Sequence, residues 1–242
     1  MKSLILLLLL ASSACLAARQ VVLTATEFPP YTTTAQPQDG VMVALARAAF
    51  AQRGLDLRVE FRPWARALAG AQEGRFAGVL ALWYSAERAE RLFYSLPLFS
   101  TTVGFYARCD KQFDVSSLPG LQHYRIGTVR GYKNPDTFEQ AGLRGIDADD
   151  DLINLKKLAA NRLELALMDR EVGRYLQEQQ LDKTTPRLCW QEPAVEVMPL
   201  YIGFSKRHPD GGMLQTEFNL GMTMLRQSGE YQRILRRFRA VL

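Results

Sequence analysis

The sequence predicts an α/β protein of two lobes, each an open, mostly parallel sheet flanked by helices, the two joined by hinge strands. Three features carry this. Strand-like and helix-like segments alternate between residues 21 and 82, the pattern of a parallel sheet covered on both faces. The same alternation restarts near residue 124, beyond a long extended stretch around Val103–Ala107. A second extended stretch, Val195–Ser205, returns the chain to its first half, where two helices close it.

Residues 1–18 are set apart, because Met-Lys-Ser, the apolar run Leu4–Leu10 and the small-residue tail Ala11–Ala18 have the layout of a secretory signal. The apolar run is shorter than the roughly 20 residues that cross a bilayer. Cleavage after Ala17 places Cys15 and Ala17 at the two small-residue positions. A lipid-anchored Cys15 would want leucine where Ser12 stands, so a soluble exported protein is expected. About 225 residues then remain, enough for two lobes with a core each.

The elements follow in order. Val21–Ala25 reads as a strand, Val41–Arg53 as a helix closed by Gly54, Leu55–Phe61 as a strand, Pro63–Glu73 as a helix closed by Gly74, and Gly78–Leu82 as a strand. In the second half Tyr124–Val129 is a strand, Pro135–Gln140 a helix ended by Gly142, Asp151–Ala160 a helix and Leu163–Met168 a strand. Leu214–Gln227 and Glu230–Phe238 are the closing helices, the last with Tyr231, Ile234, Leu235 and Phe238 on one apolar stripe.

The composition is that of an ordinary globular protein, 48% hydrophobic and 23% charged. The net charge of +5 falls to +4 without Lys2, and the basic residues are scattered, so nucleic-acid binding gains no support. Outside the signal, Cys109 and Cys189 are the two cysteines, in a compartment where disulfides persist. A bridge closing so long a loop is worth roughly 4 kcal/mol in the chain-entropy account; the alternative is two buried thiols.

Open parallel sheets bind ligands beyond the carboxyl ends of their strands. This directs attention to the loops Thr26–Tyr31, Leu82–Arg88, Gly131–Asn134 and Met168–Arg170. In the second of these, Glu87 and Arg91 stand four apart and are expected to pair across a helical turn, which leaves Arg88 unassigned. In the third, Gly131 permits a tight turn, Asn134 caps and Pro135 suits a first helical position, so that free N–H groups face an anion. The spacing is not that of a phosphate loop. The run Asp147, Asp149, Asp150, Asp151 lacks the glycine and distant glutamate of a calcium loop and is expected to cap the next helix.

An ordered series of short motifs carries a resemblance: TATEFPPYT, DGVMVALARA, PWARALAGAQEGRFAG, SAERAERLFYSLPLF, RIGTVRGYKNPDTF, NLKKLAANRLELALMD and SGEYQRILRRF. In this order they resemble the amino-acid-type periplasmic solute-binding proteins of ABC importers, extracellular solute-binding protein family 3. The resemblance implies a periplasmic-binding-protein fold, with residues 19–106 and 200–242 as the first lobe and 107–199 as the second. It implies hinges at Val103–Ala107 and Val195–Tyr201, a monomer in the periplasm, an inner-membrane ABC permease as partner, and no cofactor or metal.

The resemblance also implies a ligand set. Arg88 matches the arginine that holds the ligand's α-carboxylate, a task suited to a planar guanidinium. Asp169 matches the aspartate that takes the ammonium; its other reading is a cap on the following helix. Phe28 and Trp64 match the residues that sandwich the side chain, Tyr31 lies close by, and Trp83 and Tyr84 follow the third strand directly. Tyr132 and Lys133, in the second-lobe turn, complete the set. The chain departs from the family in having Ala81, Leu82 and Trp83 where hydroxyls usually precede the arginine, Tyr132 in place of another hydroxyl, and Phe76–Ala77 where an acid is common. The expected ligand is a small amino acid or related carboxylate, and with Arg66, Arg88, Arg130 and Lys133 in the same region an acidic amino acid is one candidate. Two alternatives remain. One is an enzyme like the periplasmic cyclohexadienyl dehydratases, although His123 and His208 sit in polar loops and Glu164 is expected to point away from the cleft. The other is a sensing partner of a membrane signalling protein.

Overall fold

The computed structural model describes residues 19–239, so the signal assigned to residues 1–18 lies outside the described residues. Nine strands form one sheet: β1 (Arg19–Ala25), β2 (Leu55–Phe61), β3 (Gly78–Trp83), β4 (Leu92–Tyr94), β5 (Phe99–Arg108), β6 (Ile126–Val129), β7 (Gly145–Ala148), β8 (Leu165–Asp169) and β9 (Leu188–Ser205). Their order is β2-β1-β3-β9-β5-β8-β6-β7, with β4 beside β9. Strand β1 pairs in parallel with β2 and β3, and β6 in parallel with β7 and β8. The long strands β5 and β9 run antiparallel between these two groups and connect them. The topology therefore turns the carboxyl ends of two parallel sets towards one shared region.

Helices cover the sheet: α1 (Val41–Ala51), α2 (Trp64–Gln72), α3 (Ala86–Ala89), α4 (Asp136–Gln140), α5 (Asp151–Ala159), α6 (Arg170–Gln180), α7 (Gly211–Gln227) and α8 (Glu230–Phe238). Their ends follow from local chemistry. Gly54, Gly74 and Gly142, just past α1, α2 and α4, take positive φ of 68°, 82° and 70°, the left-handed closure that glycine adopts at no steric cost. Helix α1 buries eight of its residues, from Val41 to Phe50, and packs chiefly against α7 and β2. On α8, Ile234 and Phe238 are buried and Tyr231 and Leu235 pack against the same core, so the apolar stripe is core packing.

Cys109 and Cys189 are bridged, with an S–S distance of 2.02 Å, and so join the end of β5 to β9 across 80 residues of sequence. Two local expectations are corrected. Helix α3 stops at Ala89, so Glu87 and Arg91 do not share a turn, and among the described residues no ion pair joins them. Pro135 is the cap residue, with φ −51° and ψ 140°, and α4 starts one residue later. Asn134 therefore makes no capping bond there.

Candidate functional site

Three first-half loops supply the walls of one cleft. After β1 the chain folds back on itself, with Phe28 N–H donating to Thr32 O at 2.7 Å, and this buries Phe28 and Tyr31. After β2, Pro63 caps α2 and makes Trp64 its first residue. Strand β3 carries a bulge against β9 between Leu80 and Leu82, and Ala81 there has a φ of 58°. A bulge re-aims the side chains that follow it, and here Leu82 and Trp83 are both buried. Trp83 is fixed by its Nε1–H, which donates to Thr101 Oγ1 at 3.0 Å. Since left-handed φ strains alanine but not glycine, Ala81→Gly is expected to raise the urea-unfolding free energy by about 0.5–1 kcal/mol.

Arg88 enters from α3, whose cap Ser85 accepts from the Arg88 N–H at 3.5 Å. Its side chain is buried, with 7% of the residue exposed. Nη1 donates to Trp83 O at 3.2 Å and Nη2 to Gly131 O at 2.8 Å, and the guanidinium carbon lies 5.4 Å from the Trp64 ring centroid. Burial draws its pKa down from the ordinary arginine value, against the opposing influence of Tyr94 and Glu87; the guanidinium nonetheless stays charged. Among the described residues it has no carboxylate within ion-pair distance. A buried cation whose contacts are neutral carbonyls is an unbalanced charge, favourable only if an anion joins it.

From the opposite side comes the turn after β6. Gly131, with a φ of 76°, presents its carbonyl to both Arg88 Nη2 and Trp64 Nε1, each at 2.8 Å. Tyr132 inserts its ring edge-on among three others, with centroids 6.0 Å from Phe28, 5.7 Å from Trp64 and 5.7 Å from Trp83. The space left between these rings and Arg88 is about 10 Å³, roughly the volume a single water needs.

Two buried carboxyls lie beyond Tyr132. Asp169 ends β8 and caps α6, its Oδ1 accepting from Glu171 N–H at 2.9 Å, Val172 N–H at 3.0 Å and Tyr31 O–H at 3.0 Å. Its Oδ2 is buried and accepts no hydrogen bond. Asp151 opens α5 and is also buried, with Tyr132 O–H donating to its Oδ2 at 3.4 Å. Burial pushes both carboxyls up to about 7, and the charge of Asp169 adds to the effect on Asp151. One carboxylate oxygen without a partner and one with a single long contact form a place where a cation would be well received.

Residues 21–240 match the model of the bacterial extracellular solute-binding proteins, family 3. The chain belongs to this family. Solved structures with the same fold include a histidine kinase sensor domain with similarity to periplasmic binding proteins (20% identity, TM-score 0.78, covering 90% of this chain and 95% of that one). Others are the P235GK mutant of an arginine-binding protein from T. maritima (15%, 0.76, 91% and 95%) and the amino acid ABC transporter substrate-binding protein AbpA from Streptococcus pneumoniae bound to L-arginine (16%, 0.73, 92% and 95%). At these identities the likeness is one of fold, an α/β periplasmic-binding-protein architecture. No curated protein sequence matches the chain.

Set against this solute-binding framework, the residues singled out in the sequence divide into two groups. Phe28, Trp64, Trp83, Arg88 and Tyr132 meet around one point, and Tyr31 and Asp169 join each other just beyond it. The others lie at the rim or outside. Tyr84 is 54% exposed and stacks on Tyr94 at 5.0 Å. Lys133 borders the cleft but its ammonium pairs with Asp136 at 2.6 Å and Glu139 at 3.1 Å, both on α4, the helix that follows it. Arg130 pairs with Asp149 at 3.1 Å, and Arg66 borders an outer groove. The helix start at α4 therefore offers little net positive charge. Glu164 points away and pairs with Arg125. The sequence reading takes the acidic run as the cap of the next helix and so misses Asp151: Asp150 caps α5, accepting from Ile153 N–H at 2.8 Å, and Asp151 faces inward. A capped helix start turns its first residue by about 100° relative to the cap, and that is the signal that could have separated the two.

Proposed function

We propose that this family member captures a small carboxylate-bearing solute, an amino acid or a relative of one, in the cleft between two lobes and hands it to an ABC importer. The first lobe comprises residues 19–106 and 200–242, the second 107–199. The observation that carries this is the buried guanidinium of Arg88, which pairs with no carboxylate among the described residues and sits at the carboxyl ends of both parallel sets of strands. Phe28, Trp64 and Trp83 wall the first-lobe side; Asp169 and Asp151 offer unsatisfied acceptors to an ammonium on the second. Bending at Val103–Ala107 and Val195–Tyr201, where β5 and β9 shift register between Val103 and Phe105, closes one lobe over the other. Ligand then favours the closed form by as much as it binds that form better.

A thermal-shift series of amino acids and small carboxylates tests this reading. A saturable rise in melting temperature is expected for a carboxylate-bearing compound, and no response across the whole series counts against it. A second reading, elimination chemistry in the cleft, draws on the two buried acids, since a general acid with a pKa near 7 suits proton donation at neutral pH. Incubation with prephenate or arogenate, followed by product absorbance, separates the two.

A further inference from the structure

We infer that the Gly131–Tyr132 turn is an internal surrogate for the ligand, and that the ligand is a ring-bearing carboxylate that must displace it. This rests on the reading of the cleft as the solute site. Gly131 O receives two convergent donors, Arg88 Nη2 and Trp64 Nε1, at 2.8 Å each. That is the environment one oxygen of a carboxylate requires, and a backbone carbonyl, being neutral, fills it without balancing the buried charge. The adjoining Tyr132 ring lies edge-on to Phe28, Trp64 and Trp83, at interplanar angles of 85°, 87° and 83°. Three rings arranged around a fourth favour an aromatic guest over an aliphatic or acidic one. The Tyr132 hydroxyl ends near Asp151, so the far end of the receptacle accepts a hydrogen-bond donor.

Ligand and Tyr132 exclude each other. About 10 Å³ is free around the rings, whereas interiors pack too densely to admit a second ring without moving the first. Gly131, at a φ of 76° and without a side chain, lets the turn change conformation at little steric cost. The surrogate also sets a dimension. Three atoms, the Tyr132 N, Cα and Cβ, separate the Gly131 carbonyl carbon from the ring, so the ligand carries its carboxylate a few atoms from its ring. A 4-arylbutanoate has this spacing and an aromatic amino acid falls one atom short of it; glutamate and aspartate have no ring to offer. Within this inference an aromatic carboxylate takes the place of an acidic amino acid among the candidate ligands.

Tyr132→Ala tests the inference with two probes. The first is 4-methylphenol, the severed tyrosine side chain. It is expected to raise the melting temperature of Tyr132→Ala saturably, as small aromatics fill engineered apolar cavities, and to leave the wild type unmoved. The second is 4-(4-hydroxyphenyl)butanoate, which has the three-atom spacing, expected to bind Tyr132→Ala at least tenfold more tightly than the wild type, because its competitor is gone. Weaker binding to the variant, binding to neither protein, or no rescue by 4-methylphenol overturns the inference. If wild type binds a non-aromatic amino acid through Arg88 while the variant gains nothing, the surrogate falls and the solute-binding reading stands. Should Tyr132→Ala fail to fold, Tyr132→Leu removes the ring while keeping apolar bulk, and the same criteria apply.

Discussion

Arg88→Ala is expected to abolish ligand-induced thermal stabilisation while the protein stays folded. The two halves of this result have different causes. In binding, truncating one partner of a desolvated, hydrogen-bonded charge pair costs about 2–5 kcal/mol, or roughly thirty- to several-thousand-fold in affinity at 1.4 kcal/mol per decade. In folding, the variant loses donors to Trp83 O and Gly131 O but also sheds a buried cation that lacks a carboxylate partner. These offset, so the change in unliganded stability is expected to stay within about 1 kcal/mol. Lysine should not rescue binding, since a point charge cannot reproduce the two-donor contact with Trp83 O and an anion together. Thermal melts with and without a bound amino acid check both halves; retained ligand-induced stabilisation in Arg88→Ala rejects the role.

Stability is expected to fall as pH rises from about 4 to about 7, and Asp151→Asn and Asp169→Asn should each flatten part of that slope. Both carboxyls are held up to about 7, chiefly by burial, against an unfolded value of about 3.9. An acid whose folded pKa is raised binds more protons in the native state, so its contribution is complete below the unfolded value and lost as pH passes through the folded one. The groups facing the pair are the hydroxyls of Tyr31 and Tyr132, the carboxylates of Asp150 and Glu171, and the N–H groups of Glu171 and Val172. Arg170 lies near Tyr31, the hydroxyl that donates to Asp169. The upper limit is about 4 kcal/mol for each acid. Asparagine preserves the Oδ1 cap on α6, so Asp169→Asn separates charge from capping. Glu164 works in the opposite direction: Arg125 holds it down to about 2, and its contribution disappears only on acidification below the ordinary carboxylate range. Urea melts at pH 5 and pH 8, wild type beside Asp151→Asn and Asp169→Asn, therefore isolate the inward-facing pair. Equal midpoints at the two values would show that the pair ionises as freely when folded as when unfolded.

Much of this architecture was legible because its elements carry strong local signals. Leu55–Phe61 and Glu230–Phe238 occupy the residues their patterns mark, since each keeps one period from end to end and is bounded by glycine or a polar turn. Strand β7 escaped notice because three of its four residues, Gly145, Ile146 and Asp147, are exposed and leave no alternation to read. Helix α6 was visible only as the helix following Asp169, since Val172, Gly173 and Leu176 are its whole buried face. The site was legible to the extent that position determined it. Phe28, Trp64, Arg88 and Asp169 all follow the carboxyl ends of parallel strands, and the topology brings those ends together. Partner choice was not legible, because it depends on packing between distant segments. Arg88 meets Gly131, 43 residues away, and Tyr31 meets Asp169, 138 away.

Native mass spectrometry of freshly purified protein, wild type beside Arg88→Ala, puts the buried guanidinium to its most direct test. The wild type should retain a small carboxylate-bearing molecule, or acquire one from the amino-acid and carboxylate series, while Arg88→Ala should fly bare under the same conditions. An identical adduct on both proteins, or a wild type that stays bare throughout the series, would contradict the assignment of this cleft.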